Sequence, residues 1–215
     1  MLNSIFPKIH KEGYKFLAIA IFLTFIALLV SKFLGFTLII ITIWVYYFFR
    51  DPERFSINDN QYLVSPADGL VSNIIEVNGP KELLLDSKKF TKVSIFMNVF
   101  NCHVNRTPVS ATVEEIFYKP GKFLNASLDK SSEENERNYY KLKTKEGEEL
   151  IIVQIAGLIA RRIVCEVSKD QSLIQGERIG MIRFGSRVDI YFNNRKILVK
   201  LGQNVVAGES LLAVK

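Results

Sequence analysis

Cysteine and histidine are both scarce in this chain, with two of each in 215 residues. Cys102 and Cys165 are too few for a disulfide framework, and nothing in their spacing suggests a metal site. Reduced, cytoplasmic thiols are the simple reading. Cys102 stands beside His103 like a nucleophile and its base, but adjacent residues on a strand point to opposite faces. Acidic residues are nearly missing from the first fifty positions. Glu12 stands alone there against Lys8, Lys11, Lys15, Lys32 and Arg50, which accounts for four of the six net positive charges. The rest of the chain is almost balanced and carries no nucleic-acid motif, so nucleic acid is excluded as a partner.

What the N-terminal region does have is apolar length. Residues 16–30 and 33–49 form two nearly unbroken apolar runs separated by Ser31 and Lys32, with Gly35 just beyond. As helices they would reach about 23 to 26 Å, slightly short of a ~30 Å hydrocarbon core. A cleaved signal is excluded, because no small-residue cleavage site follows the first run and the second begins at once. Two membrane readings remain, a hairpin that crosses twice and one inserted partway from a single leaflet. A hairpin buried within a soluble protein is the competing view. Both membrane readings put the flanks on one side, and the flanking cations, Arg50 and Arg54 included, mark that side as cytoplasmic. Trp44, Tyr46 and Tyr47 fall where amphipathic rings favour the interface. Residues 1–50 are therefore expected to anchor a domain formed by residues 51–215, with the excess cations facing anionic lipid.

The larger region reads as mainly β. Val93, Ile95, Met97 and Val99 alternate along a strand that runs toward His103, and residues 150–155 form a short strand-like run. Residues 121–148 read as a loop with a short helical turn near 124–128. Val188, Ile190 and Phe192, then Asn193-Asn194, then Ile197, Val199 and Leu201 read as a β-hairpin. The stretch 199–209 has the look of a glycine-turn unit from a barrel-sandwich hybrid domain, and Ala67-Asp68-Gly69-Leu70-Val71 looks like another. The expected architecture is a barrel-sandwich-hybrid-like β domain with short helices, after an N-terminal helical hairpin. Such a fold also admits a biotinyl or lipoyl carrier, with Lys196 the lysine to modify. The methionines that usually flank a biotinylated lysine are missing around it.

Arg183-Phe184-Gly185-Ser186-Arg187-Val188-Asp189 carries the chemistry. Glycine allows backbone conformations closed to other residues, and a serine after it can attack the carbonyl of its own peptide bond. Upstream stand Ser65-Pro66-Ala67-Asp68-Gly69, His103-Val104-Asn105-Arg106-Thr107-Pro108, Asn135-Glu136-Arg137, and Gln154-Ile155-Ala156-Gly157 through Ala160-Arg161-Arg162. In this order the segments resemble the short phosphatidylserine decarboxylase proenzymes, over roughly residues 60–215 and with a hydrophobic N-terminal region of the same kind.

The resemblance implies that Ser186 attacks Gly185, that the ester formed is eliminated, and that Ser186 becomes a covalent pyruvoyl group. The products would be a β chain of residues 1–185 and an α chain of residues 186–215, held together as a complex, with homo-oligomerisation left open. The pyruvoyl carbonyl would condense with the substrate amine and accept electrons as carbon dioxide leaves. A serine hydroxyl needs a base. His10 lies in the N-terminal tail, so His103 is the credible imidazole, and Asp68 would orient it. Longer members of the family carry a second histidine where this chain has Arg106, and many carry aspartate in place of Asn101. His103 either serves both cleavage and decarboxylation or shares them with Arg106. The implied substrate is phosphatidylserine, converted to phosphatidylethanolamine at the cell membrane, with Arg106, Arg161, Arg162 and Arg187 as candidate phosphate contacts. An archaeal-type lipid with a serine headgroup is the nearest alternative substrate.

Overall fold

The structure, a computed structural model, describes residues 6–123, 134–157, 162–183 and 186–215. It divides into two compact units. One is built on the residues up to Glu53 together with Phe100–Cys102, and the other comprises Arg54–Val99 and His103–Lys215.

In the first unit a 3-10 turn, Lys11–Gly13, runs directly into a helix, Tyr14–Val30, and a second helix, Lys32–Phe48, follows. Ser31 separates them because its backbone is extended, at φ −155° and ψ 126°. The two helices meet through small residues. Thr24 and Ala27 are buried, and the Thr24 and Thr42 hydroxyls lie 2.8 Å apart. A Cβ on Gly35 would collide with Leu28, so glycine is what permits the close approach there. The outward surfaces are apolar and open, with Leu29, Val30 and Phe33 more than 70% exposed at 73%, 76% and 84%. Monomeric soluble proteins rarely leave so much contiguous apolar surface uncovered. The continuous run Lys11–Val30 is long and apolar enough to cross a membrane, whereas Lys32–Phe48 is shorter.

The second unit is mainly β. Its strands are β1 (Tyr62–Val64), β2 (Gly69–Asn78), β3 (Lys89–Met97), β4 (Val104–Arg106), β5 (Ala111–Lys119), β6 (Arg137–Lys143) and β7 (Glu149–Ala156). Then come β8 (Ile163–Cys165), β9 (Ser172–Leu173), β10 (Arg178–Ile182), β11 (Ser186–Phe192), β12 (Lys196–Ile197), β13 (Asn204–Val205) and β14 (Leu211–Val214). Eight of them form an antiparallel sheet in the order β13-β2-β3-β11-β7-β6-β5-β9, which curls into a half-barrel. Two small sheets, β1-β14-β12 and β4-β10-β8, complete the unit. The alternation expected of a sheet with one buried face is plain in β11: Val188, Ile190 and Phe192 enter the main core with Val93, Ile95, Leu150 and Ile152. Ser186 shares their phase. Arg187, Asp189 and Tyr191 face the other way, where Tyr191 packs against Phe90, Tyr139 and Val153.

Two expectations are corrected here. Residues 188–201 do not form a hairpin, because β11 is bonded to β3 on one edge and β7 on the other, while β12 pairs with β14. Both edges of β11 are already taken, so the chain after Asn194 (φ 54°) must leave for another sheet. Arg195 holds it there, forking onto Glu148 at 2.6 Å twice and donating to the Gln61 and Asn60 carbonyls. Lys196 accordingly does not sit at a hairpin tip, as a carrier lysine would. Residues 137–143 are not loop but strand β6, inserted between β5 and β7. The helical turn expected near 124–128 lies outside the described residues. The two glycine-turn segments prove to be partners: β13 pairs with the start of β2, Asn204 opposite Leu70 and Val205 opposite Gly69. Gly69 is required there, because a Cβ would strike the Phe96 carbonyl.

The exposed apolar helices lead to a direct test of location. The full-length protein should pellet with membranes and stay there through a carbonate wash. Its quantitative release by carbonate would mean that the helices are not inserted.

Candidate active site

Ser186 is the first residue of β11 and is fully buried. It pairs with Met97, the last residue of β3, and with Ala156, the last residue of β7. Its Oγ has no hydrogen-bond partner among the described residues. A buried hydroxyl left in that state is uncommon and calls for an explanation. Gly185, the other half of the expected cleavage pair, lies outside the described residues, as does Arg161.

Segments singled out by their sequence converge on this point. Asn135 and Glu136 close the end of β7: Asn135 Nδ2 donates to the Ala156 carbonyl at 2.7 Å, and Ala156 N donates to the Glu136 carbonyl at 3.0 Å. Glu136 Oε1 also accepts from Ile163 N, which fixes the start of β8. His103 is fully buried just before β4, and its carbonyl accepts from Ile182 N at 3.3 Å. Ile182 is the last residue of β10, four residues before Ser186. His103 and Ser186 are thus brought to the same end of the fold by the β4–β10 pairing and the short connection into β11.

Asp68 is tied differently. Its Oδ1 accepts from Ala207 N at 2.8 Å, and its Oδ2 is held by Arg54 at 2.9 Å. These bonds fasten the turn before β2 to the C-terminal segment, and neither of them involves His103. Arg106 is buried, donates from Nη1 to the Gly176 carbonyl at 2.8 Å, and flanks Gly208 together with Arg54. Asp68, Arg54 and Arg106 therefore gather around the 207–208 turn.

The remaining candidate cations separate clearly. Arg187 is buried on the face of β11 opposite Ser186, with Nε 2.9 Å from Asp189 Oδ1 and Nη2 donating to Oδ2 at 3.1 Å. Arg162 is exposed, and its carbonyl accepts from Arg183 N. Arg183 was not singled out from sequence as a site residue. It stands three positions before Ser186, and burial pulls its guanidinium pKa below the ordinary value. Its place within the 183–189 motif is the signal that could have marked it.

A second feature escaped the sequence reading altogether. Inside the main core Tyr140 donates to Gln154 Oε1 at 2.7 Å, and Gln154 Nε2 donates to Asn105 Oδ1 at 2.8 Å. Asn105 Nδ2 then donates to Met97 Sδ at 3.6 Å. This polar chain ends at the residue opposite Ser186.

The site belongs to a mainly β protein with a buried serine heading a central strand, and comparison with known proteins gives the class its name. The chain matches the family model described as Phosphatidylserine decarboxylase over residues 41–213. It is 69% identical over 215 residues, all of both chains, to a phosphatidylserine decarboxylase proenzyme of Pelagibacter ubique. It is 48% identical over 214 residues to a protein of the same name in Cereibacter sphaeroides, covering 99% of this chain and 92% of that one. A third such proenzyme, from Ruegeria pomeroyi, is 47% identical over 99% of this chain and 98% of its own. The chain belongs to the phosphatidylserine decarboxylase family.

The Asp68 contacts yield a stability test. Asp68→Ala leaves Arg54 with Glu209 at 3.7 Å and strands the Ala207 amide, and should lower stability by about 3 kcal/mol. Asp68→Asn keeps an acceptor for Ala207 and should cost less. Denaturation midpoints for both variants check the order; equal midpoints would mean that the bond to Ala207 contributes nothing.

Proposed function

We propose that this chain is a self-processing decarboxylase that converts phosphatidylserine to phosphatidylethanolamine and carbon dioxide. The observation that carries this reading is the buried Ser186 hydroxyl at the head of β11, without a hydrogen-bond partner among the described residues, in a chain of this family. Cleavage before Ser186 would leave a C-terminal piece bonded to the remainder through β11 with β3 and β7, β13 with β2, and β14 with β1. Arg195 and Glu148 add a buried ion pair across the same division.

The residues present fit a pyruvoyl group made from Ser186, since position 186 stays held by both neighbouring strands after the chain is cut. That group supplies an acceptor for the electron pair released when carbon dioxide leaves. The rest is the work of the protein. β3 and β7 hold position 186 and exclude water from it. His103, at the same end of the fold, is the imidazole placed to take and return protons. Asp68 acts through the turn it ties to Ala207 and Arg54, and Arg106 steadies that turn from the Gly176 side. Arg162 and Arg183, just outside the buried serine, suit the lipid phosphate better than Arg187 does. The apolar helices would keep the site at the cell membrane, on its cytoplasmic face, where an anionic serine lipid is within reach.

Purified wild type should release carbon dioxide from phosphatidylserine vesicles and form phosphatidylethanolamine, while Ser186→Ala should form none. A parallel assay on an archaeal-type serine lipid decides how far the lipid backbone is read. His103→Ala should lower processing or turnover by about 10² to 10⁴. A His103→Ala protein that both cleaves and turns over normally would remove the imidazole from either step.

A further inference from the structure

We propose that Arg50, just past the second helix, is a positioning residue for His103, so that the helical unit serves the chemistry as well as the anchoring. The inference rests on the role given to His103 above. The link between β3 and β4 is short. Met97, opposite Ser186, ends β3, and His103 stands just before β4, so only residues 98–102 lie between them. Within that link Phe100–Cys102 belongs to the helical unit, while the residues on either side belong to the β unit.

Two bonds join the link to Arg50. Its Nη2 donates to the Phe100 carbonyl at 2.9 Å, and its own carbonyl accepts from Cys102 Sγ at 3.3 Å. The first is the stronger, because a charged donor strengthens a hydrogen bond whereas a thiol donates weakly. Burial of Phe100 does not hold the link, since its side chain is 71% exposed. The residue that follows Cys102 is His103 itself.

Arg50 is in turn held from several directions. Its Nη1 donates to the Tyr47 carbonyl at 2.6 Å, at the open end of the helix, and the guanidinium lies 5.1 Å from the centre of the Tyr47 ring. The backbone on both sides of it is tied to the N-terminal tail. His10 N donates to the Phe49 carbonyl at 2.8 Å, and Asp51 N donates to the Lys8 carbonyl at 2.7 Å. A planar guanidinium can serve two carbonyls and a ring face at once, whereas an ammonium is a compact point charge. Contact with lipid headgroups alone would need no such fork.

Connecting segments are more mobile than the strands they join, and a reacting group displaced by about 1 Å can cost about 10²-fold in rate. Fixing the Phe100 carbonyl and the Cys102 side chain removes freedom on the N-terminal side of His103. The bond from Ile182 N to the His103 carbonyl does the same from the β unit. Tethering and positioning have separable consequences. A tether raises the local concentration of lipid, but chain cleavage involves atoms of the chain alone. A residue that only tethers therefore leaves cleavage untouched.

The test is the rate of chain cleavage in newly synthesised full-length protein, followed on denaturing gels in vesicles and in detergent. Arg50→Ala should cleave about 10 to 10² times more slowly than wild type in both settings. It should stay with the membrane through a carbonate wash and unfold within about 5 °C of wild type. Arg50→Lys keeps the charge without the fork and should also be slow. Once cleaved, the Arg50→Ala enzyme should show a lower kcat on phosphatidylserine vesicles at unchanged KM. A folded Arg50→Ala that cleaves at the wild-type rate overturns the proposal. So does slow cleavage that detergent restores, or a raised KM with kcat intact, since either would assign Arg50 to the lipid headgroups. If Arg50→Ala fails to fold, a wild-type rate in Arg50→Lys overturns it instead. A wild-type chain that is never cut would refute the pyruvoyl reading, and normal cleavage and turnover in His103→Ala would remove the imidazole; both are different failures.

Discussion

Bonding of β11 along both edges is the constraint on which the rest of this structure depends. A strand flanked by β3 and β7 through Ser186 itself cannot shift register without turning its whole apolar set outward. The serine is thereby buried at a defined depth, between the last residues of two long strands. The same pairing makes a break before it tolerable. Chain ends normally fray, but an end at position 186 would have ladder partners on both sides. Precision at the serine and survival of a form cut there would thus have one physical origin.

The two faces of β11 do different work. On the inner face, the serine sits at the end of an apolar row, and the polar chain from Tyr140 through Gln154 to Asn105 ends at Met97, the residue opposite it. On the outer face, Arg187 and Asp189 form a buried ion pair beside Tyr139 and Tyr191. Burial, with the Asp189 carboxylate as a further cause, raises the Tyr191 pKa above the usual phenol value. An ion pair this deeply buried is weak evidence for stability, because desolvation offsets much of its attraction. Its position favours a role in holding the strand rather than in meeting substrate.

Much of this could be read from the residues alone, and the failures have identifiable causes. Alternation along 91–100 locates β3, and the apolar run at 150–155 locates β7, whose side chains are buried on both faces of the sheet. β6 is hidden by charge: Arg137, Lys141 and Lys143 alternate with Asn138, Tyr140 and Leu142, and ion pairs such as Lys141 to Glu114 and Glu149 let the strand lie within a sheet. The 188–201 stretch has hairpin spacing, but spacing cannot show that β11 has no free edge. Ser186 and His103 are legible through their motifs. The bond between Asn105 and Gln154, which lie in two of the same motif segments, is not, since it joins residues 49 positions apart.

The central claim is that the chain breaks before Ser186 and that β11 keeps the new end in place. Intact mass measurement of the purified wild-type protein, under native and then denaturing conditions, tests it most directly. The account predicts one native species that separates on denaturation into residues 1–185 and residues 186–215. The smaller piece should carry a carbonyl that reacts with hydroxylamine in place of a free amino terminus. A single uncut chain of 24.6 kDa under denaturing conditions, in a preparation that decarboxylates the lipid, would contradict it.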